Sequence, residues 1–151
     1  MYSLEELDIA KTKVLKYVLY KKRTENEVRE KFTDVEENML EDIIEFLKEE
    51  KYIDDSDYIR RCVDEFKKIN TLSIKEVSYK LSQKGINKNL LDEYIYSNRE
   101  DLFQYEINSA KRLILKRSKS LDDIQEIKNF LFRKGYMTET INIALEELEL
   151  E

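Results

Sequence analysis

Few side chains in this sequence could do chemistry. The chain has no histidine, so it lacks a proton shuttle near neutral pH, a Ser-His or Cys-His pair, and an imidazole metal ligand. Its one cysteine, Cys62, stands among Ile59, Val63 and Phe66, a spacing that reads as a core thiol and not as a nucleophile. Asp54-Asp55-Ser56-Asp57 offers carboxylates for a cation, but it has neither the turn glycine nor the distant glutamate of a calcium loop. Acids in this arrangement suit a helix start, where they cap amides and oppose the positive end of the dipole. With two glycines in the whole chain, no glycine-rich loop could cradle a phosphate. The reading is a non-enzyme with no catalytic residue, no metal and no cofactor.

Charge and aromatic rings remain as candidates. Basic residues gather on three stretches: Lys11, Lys13, Lys16, Lys21, Lys22 and Arg23; Arg60, Arg61, Lys67 and Lys68; Lys111, Arg112, Lys116, Arg117 and Lys119. If equivalent helices carry these stretches on one surface, they form a discontinuous cationic stripe suited to phosphate or to an acidic protein groove. Lys80 and Lys84 extend the candidate set. The plain alternative is a set of solvated faces, with cations near helix C-termini answering the dipole. Of the ten tyrosines, Tyr17, Tyr94 and Tyr96 fall at core spacing. Tyr79, beside Lys80, is the one expected to be partly free for stacking.

The elements that carry these residues repeat. Glu27-Val28 and Lys31-Phe32 return 49 positions later as Glu76-Val77 and Lys80-Leu81, and 50 positions after that as Glu126-Ile127 and Phe130-Leu131. Thr24, Ser73 and Asp123 each stand three residues before those glutamates, predicting three capping boxes. Both glycines occupy the same slot, Lys84-Gly85-Ile86 and Lys134-Gly135-Tyr136. There a left-handed glycine ends a helix and lets Ile86 or Tyr136 fold back on Leu81 or Leu131. The first copy lacks this glycine and is two residues shorter, so its turn must differ. Val14, Val63 and Leu113 precede each short helix, and Leu40/Ile44, Leu91/Ile95 and Ile141/Leu145 follow it at the i, i+4 spacing of a buried stripe. The reading is all-α: three tandem three-helix repeats, at 1–50, 51–98 and 99–151, stacked into an elongated, curved array.

Composition agrees. Absence of proline, 40% charged residues and 41% hydrophobic ones describe a folded, helix-rich chain with few turn breakers. No apolar run approaches the ~20 residues of a membrane span, and a lone cysteine forms no internal disulfide. A cytoplasmic monomer without membrane contact is expected. The net charge of −6 argues against indiscriminate nucleic-acid affinity, with DNA contact weak or auxiliary. The acidic stretch from Glu36-Glu37 to Glu49-Glu50 reads as a solvated face.

Tyr52-Ile53-Asp54-Asp55-Ser56-Asp57-Tyr58, the following Ile74 to Lys84-Gly85-Ile86, and Phe130-Leu131-Phe132-Arg133-Lys134-Gly135-Tyr136 together resemble the RecX family, bacterial modulators of the RecA recombinase. The likeness covers essentially the whole chain, with Asp54, Asp55, Tyr58, Gly85 and Gly135 as structural marks. Where such proteins usually have a small residue after the aromatic, Ile59 stands here. Their basic, glycine-containing connection is Lys67-Lys68-Ile69-Asn70-Thr71-Leu72, without glycine. The resemblance implies binding to RecA and to RecA–single-stranded-DNA filaments, with inhibition or modulation of filament growth, and no catalysis. A helix-turn-helix DNA-binding protein and a helical scaffold for another partner are the alternatives the residues leave open.

Overall fold

The computed structural model describes residues 2–117 and 123–148, and every regular element among them is helical. The order is α1 (Leu4–Tyr20), α2 (Glu25–Lys31), α3 (Glu37–Glu49), α4 (Asp55–Ile69), α5 (Ile74–Gln83), α6 (Lys88–Ser97), α7 (Arg99–Arg117), α8 (Ile124–Lys134) and α9 (Thr138–Glu147). Each repeat is therefore a long helix, a short helix and a third helix. Three separate apolar clusters follow this grouping, except that Ile53 joins the first and Leu102 the second. Val14, Val28, Leu40, Ile44 and Leu47 centre the first; Ile59, Val63, Val77, Leu81 and Ile86 the second; Leu113, Ile114, Ile127, Leu131 and Tyr136 the third. The accessible surface is 10047 Å², against about 8,100 Å² for a compact monomer of this mass. Three small cores in a row expose more surface than one large one.

The start signals act locally. Ser3, Thr24 and Ser73 each accept from the amide three residues on, and Glu6, Glu27 and Glu76 reach back to complete capping boxes. The third expected box, at Asp123, does not form. Asp123 accepts from the Gln125 amide at 2.8 Å, and its charge repels the Glu126 carboxylate that a serine or threonine hydroxyl would tolerate.

The stop signals are Schellman turns. Ile86 N–H donates to Leu81 O and Gly85 N–H to Ser82 O; Tyr136 and Gly135 repeat this onto Leu131 and Phe132. Gly85 and Gly135 hold φ of 79° and 106°, where a side chain would be strained. The first copy's turn differs as its length requires: Phe32 donates to Val28 O and Val35 to Phe32 O. Asn70 ends α4 at φ 56°, so an asparagine fills the left-handed position where glycine would be expected.

Candidate functional site

The surface is positioned by two junctions built on one plan. Thr24 Oγ1, the cap of α2, donates to Lys84 O at 2.8 Å; Ser73 Oγ, the cap of α5, donates to Lys134 O at 2.9 Å. The first amide of each short helix donates into the next unit: Glu25 N–H to Asp55 Oδ1 and Ile74 N–H to Glu106 Oε1, both at 3.0 Å. Lys84 lies 4.0 Å from Glu27, and Lys134 lies 3.1 Å from Glu76. The end of one short helix thus meets the start of the previous one. Unsatisfied amides face unsatisfied carbonyls, and the hydroxyl and carboxylate close the gap.

These contacts give the motif residues their places. Asp54 caps α4 by accepting from Asp57 N at 3.1 Å. Asp55 turns away to the neighbouring unit, and burial holds its carboxyl above the usual aspartate range. Asp57 takes both Arg61 and Arg60 at 2.6 Å, which keep it below that range. Tyr58 is half-buried, and burial pushes its phenol up to about 12. Cys62 is half-buried in the second cluster, and burial raises its thiol, away from thiolate reactivity. Ile59 is fully buried, which explains a large residue in place of a small one. Among the described residues no cluster of three or more acids and thiols is arranged to hold a metal.

The basic candidates divide into two groups. Arg60 and Arg61 are exposed but engaged by Asp57, Arg60 also by Asp64 at 3.6 Å. Lys67 pairs with Asp101 across units, Lys68 with Glu65 at 3.3 Å, and Lys111 with Glu147. Lys84 has the long pair to Glu27. Arg117 lays its guanidinium over the Phe130 ring at 3.9 Å. Lys80, Arg112 and Lys116 are exposed and have no acidic partner among the described residues. Pairs with neighbouring acids thus answer much of the second unit's share of these cations. Lys119 lies outside the described residues.

The aromatics also sort. Tyr79 is 64% exposed, as its spacing predicts. Tyr96, assigned to the core, is instead exposed and lies under the Arg99 guanidinium at 4.4 Å. Leu91 and Ile95 set the inward face of α6, so the next position turns out. Two features had no reading in the sequence. Glu106 is 1% exposed, holding Ile74 N–H with one oxygen and accepting from Thr140 Oγ1 at 2.6 Å with the other. Phe132 is 65% exposed; its position one step past Leu131 was the available signal. No helix among the described residues is long and apolar enough to cross a membrane.

No family model matches the chain, but individual proteins do. Regulatory protein RecX of Clostridium acetobutylicum is 30% identical over 152 residues, covering 92% of this chain and 68% of that one. The chain belongs to the RecX family. Regulatory protein RecX of Staphylococcus carnosus is likewise 30% identical, over 141 residues and 91% of this chain, but over 53% of its own length. The chain spans little more than half of the first such RecX relatives it matches. The fold is that of the RecX crystal structure from Lactobacillus salivarius, with a TM-score of 0.82 at 23% identity over 99% of this chain and all of that one. RecX proteins thus share both its repeat architecture and its sequence pattern.

Proposed function

We propose that this RecX-family chain is a regulator of RecA. It binds RecA and the RecA–single-stranded-DNA filament and restrains filament growth, ATP turnover and strand exchange, in DNA repair and SOS regulation. The observation that carries the reading is kinship with proteins named Regulatory protein RecX across nearly all of this chain. It acts by occupancy, as a cytoplasmic monomer without cofactor or chemistry of its own. Its three units, at 1–50, 51–98 and 99–151, lie across adjacent RecA protomers. The repeated junctions support this, because an array whose neighbours are tied by hydrogen bonds and ion pairs resists bending when it opposes a motion in its partner.

Titrating the chain into RecA with single-stranded DNA tests the reading through the ATPase rate. A fall near stoichiometric amounts is expected, and an unchanged rate at large excess overturns it. Reversal of Arg112 and Lys116 to glutamate should weaken inhibition more than reversal of Arg60 and Arg61, whose charges Asp57 already answers. Equal effects would return the stripe to the second unit.

A further inference from the structure

The short helices α5 and α8 carry one pattern of cations around an aromatic ring. In α5, Lys75 stands four residues before Tyr79 and Lys80 one after it. In α8, Lys128 stands four before Phe132 and Arg133 one after it. Both aromatics are about two-thirds exposed, at 64% and 65%. Lys75, Lys80 and Arg133 are exposed, Lys128 half-buried, and none has an acidic partner among the described residues. The equivalent stretch of α2 is Asn26, Glu30 and Lys31, with an acid in place of the ring and Asn26 donating to it at 3.0 Å. The pattern belongs to the second and third units only.

The two rings stand at neighbouring positions of the repeat. Position 132 of the third repeat matches Ser82 of the second, 50 residues earlier, and 82 is three residues from Tyr79. Residues three apart on a helix lie on one face. The end of α8 abuts the start of α5 through Ser73 and Lys134 O, and a Cβ at Gly135 would lie 3.0 Å from Lys75 Cβ. The end of α8 therefore leads onto the start of α5, with Phe132 two residues before Lys134 at the end of α8 and Tyr79 five residues after Ile74 at the start of α5. The carboxylate of α5, Glu76, is already held by Ser73 N–H and Lys134. Glu126 sits at the far end of α8. In a chain of net charge −6, this is a local cationic strip with two open rings.

We propose that the outer faces of α5 and α8 bind single-stranded nucleic acid, Tyr79 and Phe132 stacking on bases while Lys75, Lys80, Lys128 and Arg133 hold phosphates. Cations alone would suit any polyanion. Rings interleaved with them select a strand whose bases are unpaired and can turn outward. The inference deepens the filament reading and rests on it for the natural source of the strand. The affinity itself is measured without RecA, so the two fail separately.

The test uses the full chain and labelled oligothymidylate of about 20 nucleotides in about 50 mM salt, with a duplex of equal length as comparison. Because the protein has no tryptophan, Tyr79→Trp and Phe132→Trp each introduce a single reporter. Oligothymidylate should quench both, and Tyr79→Ala or Phe132→Ala should each weaken binding about 5-fold or more. Circular dichroism checks that these surface variants keep their helices. Absent binding by the unaltered chain, unquenched tryptophans at saturation, or unchanged affinity of the double alanine variant overturns the proposal. So does a duplex bound as tightly as the strand.

Discussion

Replacing Gly85 with alanine separates two roles that one residue plays. As the end of α5 it holds φ 79°, a conformation costing an L-residue ~1–2 kcal/mol. As a junction residue it leaves no room, because a Cβ there would fall within the van der Waals radii of Asn26 Cβ, Cγ and Nδ2. Since Asn26 Cβ is close to its backbone, relief needs movement of α2 against α5, with an overpacking cost of ~1–3 kcal/mol. Gly85→Ala should therefore destabilise the protein by about 2–5 kcal/mol in urea unfolding. The slope should fall too if the first unit begins to melt apart from the others. The cycle with Asn26→Gly isolates the second role. That partner removes the obstructing side chain but leaves the backbone strain, so Gly85→Ala should cost about 1–3 kcal/mol less in its presence. A cost that is the same in both backgrounds would refute the junction argument and leave Gly85 as a helix end alone.

Other expectations follow from the same geometry. Glu106→Gln removes the charge facing the start of α5 and cannot both accept from Ile74 N–H and Thr140 without burying an amide; a loss of about 1–3 kcal/mol in unfolding free energy is expected, and an unchanged midpoint contradicts it. Lys51 holds φ 62° at the end of α3, where Tyr52 N–H returns to Leu47 O. Lys51→Gly should stabilise by ~0.5–1 kcal/mol, and a lower midpoint would count against left-handed strain there. Because burial raises the folded Asp55 carboxyl, the folded state binds its proton more readily than the unfolded chain. Its ionised form is the destabilising one, and that burden disappears as pH falls through the raised value toward about 3.9. Unfolding midpoints of the wild type relative to Asp55→Asn should therefore improve as pH falls from neutral toward the ordinary aspartate range, and a constant difference would show that Asp55 carries no such linkage.

The repeat, the helix starts and stops and the core positions could be read from residue order because their physics is local. A hydroxyl three residues before a glutamate, or a glycine just before an apolar residue that folds back five positions, acts at a fixed chain distance whatever surrounds it. Asp57 with Arg60 and Arg61 was equally local, and its i, i+3 and i, i+4 spacing was the overlooked signal that those cations were already answered. The missing box at Asp123 shows the limit even there, because the charge of the cap decides whether the glutamate returns.

The rest required the tertiary structure. Lys67 with Asp101, and Ile74 N–H with Glu106, join residues of different units more than thirty positions apart. Their meeting depends on the angle at which one unit stacks on the next. That angle is set by how three small cores pack side by side, which residue order does not encode at any fixed spacing. Sequence alone determined the threefold helical pattern, where the short helices begin and where the second and third of them end. Only the stacking decided that Asp101 answers Lys67 and that the end of α8 meets the start of α5.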